Sequence, residues 1–268
     1  LLGKMDLNLK GKTAFISGST SGIGFTTAKT LLEEGVTVYI NGRDQLSIEK
    51  AEIQLKDEVV GAKVFGLIAD FSKFEQVENL IKRLSEIDIL INNVGIYSSK
   101  SFFETSIETW QEQFQVNLMS GVALSKHYLK GMLHRNWGRI LFISSECAYL
   151  VPPDMISYST TKASMHAVSR GLALLTKGTG VTSNVVVPGS TLTKGAKIFL
   201  ADKAKKYDTS PEAVEKDFFN NDRTSSLLKR FASTDEVATT IAYLCSPLSS
   251  ATNGSVIKVD GGSSGGIL

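Results

Sequence analysis

Tyr158 and Lys162 stand four residues apart in Ser157-Tyr-Ser-Thr-Thr-Lys162-Ala, and Ser145 lies thirteen positions upstream. On a helix, positions i and i+4 share a face, so the lysine ammonium and the tyrosine oxygen can act on one small volume. A free phenol loses its proton at about pH 10. A cation held beside it favours the phenolate and brings the group nearer to working pH as a proton donor or acceptor. Near the start of the chain the turn Gly18-Ser-Thr-Ser-Gly22-Ile-Gly24 adds a candidate phosphate cradle. Together these residues point to oxidoreduction between a carbonyl and an alcohol. The tyrosine-lysine pair is a weak motif by itself, because both residues are common on helix surfaces, so the reading depends on the order of the other pieces.

Those residues need a frame. Near-continuous apolar runs at 13–17, 36–40, 63–69, 88–92, 139–144, 181–187 and 255–259 read as strands buried on both faces of a parallel sheet. Helical patterns at 24–34, 45–56, 74–85, 107–133, 155–176 and 234–246 alternate with them. The alternation predicts an α/β fold: one doubly wound Rossmann-type domain spanning 1–268, with about seven parallel strands and helices on both faces. Residues 1–9 read as an amino-terminal tail, whose first four, Leu1 to Lys4, are set aside from the fold argument. The rhythm breaks at 194–229, a polar and aromatic insertion placed to cover a substrate beyond the carboxyl ends of the strands. For Lys203-Ala-Lys-Lys206 a solvated helical face is an equal reading.

With 42% hydrophobic and 21% charged residues the 268-residue chain reads as globular, and its net charge of +2 does not suggest nucleic acid or an anionic membrane as partner. No stretch is apolar and long enough to cross a bilayer, and the opening residues do not resemble a signal peptide. Two cysteines, Cys147 and Cys245, cannot build a disulfide framework, so a reducing, cytoplasmic location is expected. Cys147 close to Ser145 raises the idea of a reactive thiol, against the plainer reading of a small packing residue. His127, His134 and His166 have no metal spacing with a carboxylate, and no metal is expected.

The glycine turn follows the first strand and opens a helix, where backbone amides and the helix amino terminus can hold a pyrophosphate. Its Gly-x-x-x-Gly-x-Gly spacing, Asn92-Asn-Val-Gly95, the serine, tyrosine and lysine above, Pro188-Gly189, and the closing Asn253-Gly254 and Asp260-Gly-Gly262 resemble the short-chain dehydrogenase/reductase family over residues 10–262. That resemblance implies an NAD(P)-dependent enzyme with Ser145, Tyr158, Lys162 and Asn117 at the catalytic positions. Tyr158 would be the general acid/base, Ser145 a hydrogen-bond donor to the carbonyl oxygen, Lys162 the holder of the nicotinamide ribose, and Asn117 the anchor of a water linking the lysine to solvent. It places Gly18, Ser19, Ser21, Gly22, Ile23 and Gly24 on the pyrophosphate, Asp70 and Phe71 on the adenine with Asn93 and Gly95 beside it, and Pro188, Gly189, Thr191 and Thr193 on the nicotinamide carboxamide. Asp70 could equally cap a helix ahead of Ser72. Val94 stands where the family usually has alanine.

Cofactor choice turns on the end of the second strand, Asn41-Gly-Arg43-Asp44, where Arg43 favours the extra phosphate of NADP over NAD unless Asp44 neutralises it. Tyr97, Tyr149, Leu150, Met155 and Phe199 are expected to line an apolar pocket for a small-molecule ketone or secondary alcohol. The general appearance is nearest to bacterial 3-oxoacyl-carrier-protein reductases. A catalytically silent, dinucleotide-binding redox sensor and a sugar-nucleotide epimerase are the alternatives, the first opposed by the intact four catalytic positions and the second by chain length and turn spacing. The resemblance also implies a homotetramer, or a dimer, built on the stretches 107–133 and 155–176.

Overall fold

In the computed structural model, which describes residues 6–266, the apolar runs become one sheet of seven parallel strands. Residues 1–5 of the expected tail lie outside the described residues. In chain order the elements are β1 (Thr13–Ile16), α1 (Gly22–Glu33), β2 (Thr37–Gly42), α2 (Gln45–Glu58), β3 (Val64–Ile68), α3 (Phe74–Arg83), β4 (Ile89–Asn92), α4 (Ile107–Gln113), α5 (Ser120–His134), β5 (Gly138–Ile143), α6 (Cys147–Leu150), α7 (Ile156–Leu175), β6 (Val181–Pro188), α8 (Lys194–Lys206), α9 (Pro211–Asp217), α10 (Thr234–Cys245) and β7 (Val256–Val259). The strand order β3-β2-β1-β4-β5-β6-β7 reverses between β1 and β4, the switch point at which open α/β sheets bind ligands.

The register brings the right residues to that point. Ile16, the last residue of β1, pairs with Ile40 of β2 and with Ile91 of β4. One step beyond them lie Ser17, Asn41 and Asn92. Parallel strands have both faces covered, and two cores result. Ala28, Leu31 and Leu32 of α1, Leu55 of α2 and Val237 and Ile241 of α10 cover one face. Val77 and Leu80 of α3, Leu124 and Tyr128 of α5 and Met165 of α7 cover the other. The segment just before β1 is tied in as well: Leu9 is buried, the Leu7 N–H donates to Glu34 at 3.2 Å, and Ser246 Oγ donates to the Leu7 carbonyl at 2.7 Å.

Two expectations change in detail. The predicted helix 107–133 is interrupted by a wider π turn, Phe114–Met119, between α4 and α5, and Asn117 sits in that turn. A π turn inserts one residue into the helical ladder, a departure that recurs at functional sites. The insertion 194–229 is not a loose loop. Its helices α8 and α9 close on a small core of Leu200, Ala204, Val214 and Phe219 with Phe231, the last pair of rings meeting edge to face at 5.2 Å. Lys205 and Lys206 are exposed, so the wet-face reading holds for that part, whereas Lys203 borders the cavity described next.

Candidate active site

A cavity of about 1470 Å³ opens along the carboxyl edge of the sheet, from the glycine turn past Arg43 and Asp70 to Tyr158, Lys162 and α8. At its near end Gly18 has φ +60° and lies against Val94, where an added Cβ would come within 3.0 Å of the Val94 Cα. Valine in place of the family's alanine therefore packs on a position that only glycine fills without strain. At Gly24 an added Cβ would sit 2.6 Å from Asn93 Nδ2, which donates to the carbonyls of Ser17 at 3.0 Å and Gly18 at 2.8 Å. The α1 amino terminus has no side-chain cap at Ser21 and no acidic residue in its first turn. Its amides and partial positive charge are left for an anion, so the cradle fits the pyrophosphate of a dinucleotide.

The other expected binding residues separate into those that face the cavity and those that do not. Ser21, Gly22, Ile23, Arg43, Asp70, Phe71, Asn93, Gly95, Pro188, Gly189, Thr191 and Thr193 border it. Ser19 does not: its hydroxyl donates to Ile16 O at 2.7 Å and accepts from Asn41 N at 2.9 Å, bracing β1 against β2. Asp44 caps α2 by accepting from Ser47 N at 2.8 Å, and that backbone hydrogen bond, more than Arg43, lowers its pKa. Asp70 accepts from the Ser72 N–H at 3.0 Å and from its hydroxyl at 2.8 Å, a local turn ahead of α3, whose own cap position is Lys73. The Thr191 hydroxyl gives its proton to Gly189 O at 2.9 Å and so has none left for a carboxamide. Thr193 accepts from Ala196 N at 3.2 Å as the cap of α8 and keeps its proton.

At the chemical end β5–β6 pairing continues past the strand, with Ser144 N donating to Val186 O at 2.8 Å and Glu146 N to Pro188 O at 2.9 Å. This rigid edge presents Ser145 beside α7, which brings Tyr158 and Lys162 to the same volume. Ser144 also borders the cavity, but its hydroxyl is engaged, donating to Lys162 O at 2.9 Å and meeting His166 Nε2 at 2.9 Å. Cys147 is buried, and burial pushes its thiol upward, away from reactivity. Asn117 clamps the 93–96 segment: Oδ1 accepts from Ile96 N at 2.7 Å, while Nδ2 donates to Ile96 O at 2.9 Å and Thr161 Oγ1 at 3.0 Å. Both amide hydrogens are used, so this side chain has no donor for a bridging water.

The electrostatics reverse one expectation. Lys162 Nζ donates to Ile143 O at 2.8 Å and stands 5.6 Å from the centre of the Tyr158 ring. Burial pulls the lysine down to about 8. Tyr158 is partly open to the cavity, yet loss of water around it pushes its phenol above the ordinary value, against a hydrogen bond from Ser145 that pulls the other way. Loss of water is the largest influence on the phenol, and the ammonium is directed to a backbone carbonyl.

The expected apolar pocket is polar at its far end. Tyr97 packs edge-on against Tyr158 at 5.9 Å, and Leu150, Met155 and Phe199 line the cavity. Tyr149 turns outward, under Lys258 at 4.4 Å and beside His166 at 5.5 Å. Glu146, Ser190, Asn221 and Arg223, which sequence reasoning did not single out, also line it. The one signal for Glu146 was a carboxylate directly after the candidate serine. Next to Leu150, the β-branched Val151 is held at φ 44°, ψ 65° before Pro152, a strained left-handed conformation. Val151→Gly is expected to stabilise the protein by about 1 kcal/mol, read as a melting temperature about 2 °C higher; a fall in melting temperature would show that the valine's packing outweighs its strain.

Similarity to known proteins runs over nearly the whole chain. The protein-family model described as "Enoyl-(Acyl carrier protein) reductase" matches residues 18–264. The chain is 42% identical to the uncharacterized oxidoreductase YvrD of Bacillus subtilis over 261 residues, covering 96% of this chain and 98% of that one. It is 32% identical to the 3-oxoacyl-[acyl-carrier-protein] reductase FabG of Aquifex aeolicus, over 96% of this chain and 99% of the relative. Its fold matches that of L-sorbose reductase from Gluconobacter frateurii, solved with NADPH and L-sorbose, with a TM-score of 0.92 at 28% identity, covering 98% of this chain and 100% of the other.

Proposed function

The chain belongs to the short-chain dehydrogenase/reductase family, and from that premise we propose that it exchanges a hydride between NADP(H) and a small-molecule ketone or secondary alcohol, with Tyr158 as general acid/base. One observation carries the residue roles: Ser145, Tyr158 and Lys162, from two separate stretches, border the same cavity as the glycine turn. The bound nicotinamide supplies or takes the hydride. The chain's own part is to place a donor where charge develops on the carbonyl oxygen, and Tyr158 with Ser145 hydrogen-bonded to it does so. In reduction the phenol gives its proton to that oxygen; its raised pKa keeps it in the acid form at neutral pH. Lys162 would hold the ribose hydroxyls of the bound cofactor, and Asn117 fixes the Ile96 backbone beside it.

NADP is the preferred cofactor in this reading, supported by Arg43 exposed at the end of β2 and by Asp44 being engaged as a helix cap. Arg43→Ala should weaken NADPH binding about 30-fold and NADH binding little, as measured by fluorescence titration; equal effects on both would remove Arg43 from phosphate recognition. Loss of nicotinamide absorbance across a panel of carbonyl compounds tests the activity itself. We take residues 1–268 as one dinucleotide-binding domain with 194–229 covering the substrate. The two unpaired cysteines favour the cytoplasm. Among the described residues no helix is long and apolar enough to cross a membrane. Ile107, Met119, Leu174 and Leu175 are exposed on the two long helical stretches, which favours a homotetramer; light scattering should give a mass of four chains.

A further inference from the structure

Beside Ser145 lies a carboxylate for which the chemistry above has no use. Glu146 is 3% exposed and borders the cavity. Its Oε1 accepts from Ser190 Oγ at 2.9 Å and from Arg223 Nε at 3.1 Å. Its Oε2 is buried with no donor among the described residues. Such an acceptor is destabilising until a donor reaches it, and native proteins leave few of them. Arg223 comes from the helical cover, 77 residues further along the chain. Its Nη1 donates to Asp222 O at 3.1 Å, and its Nη2 makes no hydrogen bond among the described residues. The pair therefore offers one acceptor without a donor and, on Nη2, N–H donors without an acceptor among the described residues, adjacent to the residue that bonds the proton-transfer group.

Few chemical groups satisfy both. A hydroxyl donates and accepts, so it can bond Glu146 Oε2 and Arg223 Nη2 at once. A carboxylate would suit Arg223 but meet the charge of Glu146, and an ammonium would do the reverse. An alkyl or acyl chain would leave both groups desolvated and unpaired. Asn221, Asp222 and Thr224 continue the polar lining around them. We propose that Glu146 and Arg223 jointly recognise a hydroxyl close to the reacting carbonyl, so that the substrate is a neutral hydroxylated ketone or the polyol derived from it, not an acyl chain or a keto acid. Because Oε2 is shielded, the hydroxyl takes a place opened by a small rotation of the long Arg223 side chain. The proposal deepens the oxidoreductase reading and rests on it.

The test measures NADPH oxidation with ketones of matched length, with and without hydroxyls beside the carbonyl, and with a keto acid. The wild type should favour the hydroxylated neutral ketone in kcat/KM by about 100-fold. Glu146→Gln and Arg223→Leu should each reduce that ratio about tenfold, and NADPH titration reports whether each variant is folded. Absence of the preference in the wild type, preference for the keto acid, or equal losses on all ketones in both variants would overturn the proposal. So would a Glu146→Gln variant whose main defect is weaker NADPH binding, since Glu146 would then serve the cofactor. If NADPH binds but no carbonyl compound is reduced, the oxidoreductase reading falls first and this inference with it.

Discussion

Tyr158→Phe should lower kcat/KM for carbonyl reduction about 1000-fold, equivalent to about 4 kcal/mol of transition-state stabilisation. Phenylalanine keeps the ring and its edge-on contact with Tyr97, at 5.9 Å between centroids, and removes only the oxygen that carries the proton. Cofactor affinity should stay within about threefold of wild type, because the glycine turn and Lys162 are untouched. Turnover within tenfold of wild type would move proton transfer to another donor, with Ser145 the nearest. The raised phenol also sets a pH dependence. Reduction needs the protonated form and should be flat through neutral pH, whereas alcohol oxidation needs the phenolate and should climb with pH into the alkaline range. An oxidation rate independent of pH between about 7 and 9 would contradict that assignment.

Lys162→Met should act in two opposite directions, lowering activity about 100-fold or more while making the unliganded protein more stable at pH 7. In the folded chain burial brings this lysine from 10.5 down to about 8, whereas in the unfolded chain it protonates at its ordinary value. Between those two pH values the unfolded state binds more protons, so stability rises with pH across that window. Below about 8 both states are charged and the full burial penalty, roughly 3 kcal/mol, is present. Methionine removes the penalty but leaves the Ile143 carbonyl without the donor it had at 2.8 Å, so the net gain is about 1–2 kcal/mol. Melting curves of both proteins at pH 7 and near pH 10 would show the difference shrinking as the wild-type lysine deprotonates. A less stable variant at pH 7 would mean that the ammonium supports the fold and is not tolerated only for function.

Much of this protein is legible in its residue order because the signals are local. A strand buried on both faces must be apolar along its length, so the runs ending at Ser17, Asn92 and Ser144 stand out as strands from residue type alone. The spacing of Tyr158 and Lys162 is a property of one helix, and the glycines at 18, 22 and 24 answer to one turn. Departures begin where a side chain's partner lies far along the chain. Ser19 braces β2 rather than facing phosphate because the turn after β1 brings it onto the Asn41 backbone, which donates to its hydroxyl and accepts from its N–H, each at 2.9 Å. The Asn117 amide is consumed by Ile96, 21 residues away, through a π turn that no periodicity announces.

By itself the residue order determined the doubly wound sheet, the glycine turn after β1 and the helix face shared by Tyr158 and Lys162, since each depends on periodicities and turns of a few residues. Only the tertiary structure decided which hydroxyls and amides remain free, how burial sets the protonation of Tyr158 and Lys162, and that Glu146 meets Arg223 across 77 residues in the cavity. The physical reason is that hydrogen-bond saturation and desolvation depend on every neighbour a group acquires on folding, and most of those neighbours come from distant parts of the chain.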